Sequence, residues 1–172
     1  WKILPAIAAG NTIVLKPAEI TPLTSLMFAE DAVAAGIPAG VINVLTGPGR
    51  TVGEALVSHP DVSMVSFTGS TPVGQRVMQL ATGTVKRVHL ELGGKSANVI
   101  LPDADIAACV PPGVTFGCYL NSGQTCSALT RMLVPRGRLA DAERIAADEV
   151  ETKYRPSDPF AEGAMLGPLS SK

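Results

Sequence analysis

The chain has 172 residues, 46% hydrophobic and 17% charged, with a mean hydropathy of +0.27; this excludes a disordered chain and provides for a packed core. Lys and Arg number 14 against 15 Asp and Glu, a net charge of −1, so no basic stripe calls for nucleic acid and no polybasic cluster for an anionic membrane. The longest apolar runs, such as Val62–Phe67, are far shorter than a bilayer span requires.

The opening Trp1-Lys2-Ile3-Leu4-Pro5 has no signal-peptide pattern. The chain starts without Met and stops abruptly on Ser171-Lys172, which reads as a fragment. Cys109, Cys118 and Cys126 are odd in number, form no CxxC and have only His59 and His89 for company. No metal site or disulfide framework is expected, and a reducing cytoplasm is the expected compartment.

In chain order, Asn11–Lys16 is β-branched and ends at Pro17, as a strand would. Thr21 as N-cap and Pro22 at the first helical position open a helix, with Leu23, Leu26, Met27, Ala34 and Ala35 as its apolar stripe and Gly36 as its stop. Val41–Leu45 is a second strand and Thr51–Ser58 a second helix. Val62–Phe67 is a third strand, Val73–Ala81 a third helix and Val85–Leu92 a fourth strand. This β-α-β-α-β-α-β order predicts an α/β fold, a parallel Rossmann-like sheet with helices on both faces. Beyond it, Ser96–Leu101 reads as a strand and Asp103-Ala-Asp105 begins a helix. Asn121–Cys126 is a polar loop, Arg131–Val134 a strand and Leu139–Tyr154 an amphipathic helix. The change of pattern places a domain boundary at Gly93-Gly94, giving residues 1–93 and the start of a second α/β domain over 94–172.

Ligands of parallel sheets bind at the carboxyl ends of the strands, so candidate chemistry is expected there. Gly47–Gly53 nearly mimics a dinucleotide fingerprint but has three residues between its second and third glycines, and an ordinary strand-to-helix turn accounts for it. Phe67-Thr68-Gly69-Ser70-Thr71 joins a buried strand to a helix start. Free amides there suit an anion, and a simple cap by Ser70 or Thr71 suits the pattern equally. Lys16 and Glu19 flank Pro17 at another strand end. A Glu there can bind ribose hydroxyls and repel a 2′-phosphate, but the local pattern favours a solvated pair. Glu91, at the end of the fourth strand, can act as a general base. His89 shares its strand face by period-two spacing, although a partly buried strand residue is the expected reading. Cys126, among polar and glycine neighbours and before a helix-prone stretch, suits a reactive thiolate; Cys109 and Cys118 suit small core residues.

Taken in order, several segments resemble the NAD(P)-dependent aldehyde dehydrogenase superfamily. They are Trp1-Lys2 with Ala8–Thr12, Leu15-Lys16-Pro17-Ala18-Glu19, Gly36–Asn43, Phe67–Ser70, Leu90-Glu91-Leu92-Gly93-Gly94-Lys95 and Asn121–Cys126. The resemblance implies that residues 1–93 are part of an NAD-binding domain and 94–172 the N-terminal part of a catalytic domain. It implies Cys126 as the nucleophile that forms a thiohemiacetal and, after hydride transfer, a thioester, with its backbone N–H in the oxyanion site. Glu91 would activate the hydrolytic water. Lys16 and Glu19 would hold the adenosine ribose, Gly69 and Ser70 the pyrophosphate, with Thr68 near the nicotinamide. Glu91 favours hydrolysis over transfer to coenzyme A, and Glu19 favours NAD, with NADP possible. The partners implied are a small aldehyde and further copies of the full-length chain, as a homodimer or homotetramer.

Two departures bear on this reading. The family's upstream catalytic Asn and downstream Glu-x-Phe-Gly-Pro segment are outside the chain, so little or no turnover is expected from it alone. Val110-Pro111-Pro112 falls where relatives run a continuous helix; an interior proline costs roughly 3 kcal/mol, so a helix broken in two is expected. The alternatives are a non-catalytic truncated dinucleotide-binding relative and a coenzyme A-acylating semialdehyde dehydrogenase.

Overall fold

The computed structural model describes residues 1–169, which form two compact units, Trp1–Leu92 and a second from Gly93 onward. Both are α/β, and every strand pair is parallel. In the first unit a short helix α1 (Ile3–Ala8) leads to β1 (Ile13–Leu15), α2 (Leu23–Ala34) and β2 (Ile42–Val44). β1 pairs with β2 in the register Leu15 to Val44, which brings their carboxyl ends side by side. A wide turn over Gly49–Gly53, in which the Glu54 N–H reaches back to Gly49 O, runs into α3 (Glu54–Ser58). Then β3 (Met64–Thr68), α4 (Thr71–Ala81) and β4 (Arg87–Glu91) complete the unit, with Thr68 opposite Glu91. Among the described residues the hydrogen-bonded ladders are pairs, β1 with β2 and β3 with β4, and no ladder continues from one pair to the next.

The core of this unit follows from strand alternation. Val65, Phe67, Val88 and Leu90 turn one face of β3 and β4 toward Val57 of α3 and Val77, Leu80 and Ala81 of α4. The opposite face carries Ser66, Thr68, His89 and Glu91 and is exposed. Helix α2 behaves differently from its expected stripe. Leu23 and Met27 are exposed (71% and 61%), as are Ala34 and Ala35, and Ala32 is the buried residue. Thr21 is not its N-cap either: Pro22 holds that position and no side chain caps the helix. The stop at Gly36 is as expected, for Gly36 takes φ +88°. Its N–H bonds to Val33 O and that of Ile37 to Ala32 O, the paired closure that a left-handed residue after a helix allows.

The second unit pairs β5 (Ala97–Val99) with β6 (Arg131–Leu133) and packs α5 (Ile106–Val114) against α6 (Leu139–Lys153). Asp105 caps α5, its Oδ1 accepting from the N–H of Ala107 and of Ala108. The expected break at Pro111-Pro112 does not occur; α5 runs through both prolines to Val114. The prolines remove the donors for the carbonyls of Ala107 and Ala108, but both residues are exposed to water, which can bond those carbonyls instead. On the other face Ile106, Val110 and Val114, four residues apart, are buried against Ile100 and Ala142. Burying one such side chain stabilises by roughly 1.5–3 kcal/mol, so three of them offset the proline cost. Tyr119 and Tyr154 stack nearby with ring centroids 5.4 Å apart.

Candidate active site

At the joined ends of β1 and β2, Lys16 and Glu19 are bound to the Gly47–Gly49 turn. Lys16 Nζ donates to Pro17 O (2.6 Å) and Gly47 O (3.2 Å), and Glu19 Oε1 accepts the Gly49 N–H at 2.7 Å. Pro17, Ala18, Glu19, Thr46, Gly47 and Pro48 enclose a hollow of about 150 Å³ with Pro22. The local sequence pattern predicts a plain turn at Gly47–Gly53 and a solvated Lys16–Glu19 pair. Their bonds to each other could not be read from either motif alone, because the residues joined are about thirty apart in sequence.

At the end of β3, Thr68, Gly69 and Ser70 are exposed. The Gly69 N–H is not free as expected; it donates to Glu91 O at 3.0 Å and so locks the turn to β4. Ser70 holds the N-cap position of α4 in an extended conformation, but its side chain makes no cap bond, and neither serine nor threonine fills the capping role. The first helical bond runs from Gly74 N–H to Ser70 O, so the amides of Thr71 and Val73 lie outside the ladder at the positive end of the helix dipole. A Cβ on Gly69 would stand 2.5 Å from Phe67 Cζ, and Phe67 packs on the core.

Glu91 ends β4 on the exposed face. His89 lies beside it with Nε2 3.4 Å from Glu91 Oε1, and the Nδ1 of the same ring is 3.3 Å from Ser66 Oγ. The expected reading of His89 as a partly buried strand residue is therefore corrected: its side chain is 53% exposed and it is paired.

In the second unit Cys126 is exposed and unpaired, at the end of a loop of unusual conformation. Asn121 (φ 55°), Ser122 (φ 56°) and Gly123 (φ 73°) are three consecutive left-handed residues. For the two that are not glycine this costs roughly 1–2 kcal/mol each. The loop holds itself by local bonds: Asn121 Nδ2 donates to Gln124 O, the Gln124 N–H to Asn121 O, and Thr125 Oγ1 to Leu120 O. Buried Ala128 and the Leu129 N–H bond to Gly117 O (2.6 Å) anchor its exit. The helix-prone stretch after Cys126 forms a turn, closed by Ala128 N–H on Thr125 O. Cys118 is half-buried, as a packing residue would be, whereas Cys109 is exposed and not the core residue expected. Among the described residues no group of His, Cys, Asp and Glu could hold a metal ion, and no helix is long and apolar enough to cross a membrane.

The chain is 47% identical over 170 residues to the 3-succinoylsemialdehyde-pyridine dehydrogenase of a Pseudomonas species, covering 99% of this chain and 35% of that protein. It is 47% identical over 178 residues to chloroplastic betaine aldehyde dehydrogenase of Beta vulgaris, covering 34% of it. Among solved structures, a cysteine-to-alanine variant of aldehyde dehydrogenase C from Pseudomonas syringae, in complex with NAD+ and octanal, matches with TM-score 0.94 and 51% identity over 99% of this chain and 35% of that one. The chain thus spans about a third of the length of the relatives it matches. A sequence profile of the aldehyde dehydrogenase family matches residues 1–172, and the chain belongs to that family.

Proposed function

We propose that this chain is part of a hydrolytic, NAD-preferring aldehyde dehydrogenase that oxidises a small aldehyde to its carboxylic acid. The Trp1–Leu92 unit would be part of the NAD-binding domain, and the unit from Gly93 onward the N-terminal part of the catalytic domain. The observation that carries the reading is Cys126: a free, exposed thiol held by a self-bonded loop whose left-handed run costs energy.

The residues of the first unit suit a dinucleotide. Glu19 retains a second carboxylate oxygen for ribose hydroxyls while its first is tied to Gly49, and it repels a 2′-phosphate. Lys16 Nζ bonds Pro17 O and Gly47 O, two residues that line the hollow. Gly69 and Ser70 border the amides left outside the α4 ladder, where a pyrophosphate is favoured, and Thr68 stands at the nicotinamide end. When bound, NAD supplies the hydride acceptor.

On the protein side, Cys126 Sγ adds to the aldehyde carbon, and the Cys126 N–H supports the negative oxygen that results. After oxidation the acyl group is held as a thioester on Sγ. Glu91 takes a proton from the water that attacks the thioester carbonyl, and the Cys126 thiolate leaves as the acid forms. The expected assembly is a homodimer or homotetramer in the cytoplasm, in keeping with three unpaired cysteines.

The test supplies aldehyde and NAD to the full-length enzyme and its E91Q variant, then quenches and maps acyl groups by mass spectrometry. An acyl group on Cys126 that accumulates in E91Q supports the reading. Acylation at another residue overturns the Cys126 assignment, and none makes the chain a non-catalytic relative; acyl-coenzyme A as the sole product assigns it to the acylating class.

A further inference from the structure

From the exposed face of β3 and β4 we infer that His89 is a positioning residue for Glu91, itself held by Ser66. This inference rests on Glu91 being the base that activates water. Three side chains lie in a row across two strands: Ser66 Oγ is 3.3 Å from His89 Nδ1, and His89 Nε2 is 3.4 Å from Glu91 Oε1. The register makes the row. Ser66 pairs directly with His89 across the ladder, and Glu91 is two residues along β4 on the same face.

The other groups near this row are few. From β3 the same face presents Met64 and Thr68, and from β4 it presents Arg87. Helix α4 packs on the other face, against Val88 and Leu90, and its Arg76 is held by both carboxylate oxygens of Glu54. No second carboxylate of β3 or β4 competes with Glu91 for the imidazole.

An ionised carboxylate only accepts, so Glu91 Oε1 takes the Nε2–H of His89, and the Ser66 hydroxyl, which can donate, bonds the Nδ1 lone pair. These two bonds hold the ring in one orientation and, through it, the Glu91 carboxylate, whose other oxygen takes the proton of the attacking water.

The first test needs no activity. In the 172-residue chain, the ring ¹⁵N NMR signals of His89 are compared in the native form, in E91Q and in S66A, with His59 as the internal reference. The expected results are the Nε2–H tautomer in the native form and shifts away from it in E91Q and S66A, with the His59 signals fixed in both. A His89 tautomer that neither variant changes overturns the inference, whatever Glu91 does.

The second test measures thioester hydrolysis on the full-length enzyme. H89Q is expected to leave acylation intact and slow deacylation about tenfold, less than the roughly 10²–10⁴-fold that general bases contribute. Added imidazole is expected to restore the rate in H89A. Wild-type deacylation in H89Q, with E91Q slow, overturns the inference and leaves the Glu91 reading standing. Normal deacylation in E91Q overturns both.

Discussion

The two loops that bear the proposed chemistry are built by opposite means. The turn after β3 is relaxed: Ser70 is extended, and Gly69 is tied by one bond to Glu91 O and crowded by the Phe67 ring behind it. The loop before Cys126 is strained, with Asn121, Ser122 and Gly123 all left-handed and held chiefly by bonds among their own neighbours. A turn of the first kind suits a ligand that must approach backbone closely. One of the second kind suits a side chain that must be held in one place, because strain persists only where surroundings over-determine the geometry.

The comparison can be broken most strongly at Gly69. A methyl there meets Phe67, which is packed on Val57, Val77 and Ala81, so the ring cannot move freely. G69A is expected to destabilise the first unit by about 1–3 kcal/mol in urea denaturation. The double variant G69A with F67L is expected to recover much of that loss. An equal loss in the double variant would mean that the crowding is not the reason for the glycine.

At Ser122 the sign reverses. Glycine there relieves left-handed strain of roughly 1–2 kcal/mol and adds about 0.5–1 kcal/mol of backbone entropy cost, so S122G is expected to stabilise the second unit by about 0.5–1 kcal/mol. The same variant is expected to slow alkylation of Cys126, since the loop gains freedom. A stabilised protein with an unchanged Cys126 rate would detach the strain from the thiol.

A smaller effect tests the packing of α3 on α4 in the first unit. Arg76 bonds both oxygens of Glu54, at 3.0 Å from Nε and 2.7 Å from Nη2, and holds this carboxyl below the usual carboxylate range. The unfolded chain therefore binds more protons in that window. The contribution of the pair is present above the unfolded pKa and is lost as pH falls through the folded one. The pair is solvent-exposed and its effect is small and weakened by salt. E54Q is expected to flatten the acid side of the stability profile slightly, as read by urea midpoints at neutral and acid pH.

The element order was legible because apolar runs alternate with Gly and Pro stops, as at Gly36. Pairing across distance was not. Lys16 and Glu19 find their partners in the Gly47–Gly49 turn, and the fold makes that meeting. His89 and Glu91 shared a face by spacing, but the pattern could not tell which face of β4 packs on α4; Val88 and Leu90 do, so the pair faces outward. Pro111-Pro112 misled because the proline penalty is local, whereas the burial of Ile106, Val110 and Val114 that offsets it is tertiary. In the stretch Asn121–Gly123, Asn and Gly are residue types that visit the left-handed region, but Ser122 gave no such signal.

The assignment of Cys126 as nucleophile can be tested directly by competitive alkylation of the native protein with iodoacetamide, reading each cysteine by mass spectrometry over time. Cys109 and Cys126 are both exposed, so access alone predicts similar rates for the two. The account predicts that Cys126 is labelled first, by about tenfold or more over Cys109, with Cys118 slowest, as a catalytic nucleophile requires. Equal rates at Cys109 and Cys126 would contradict it.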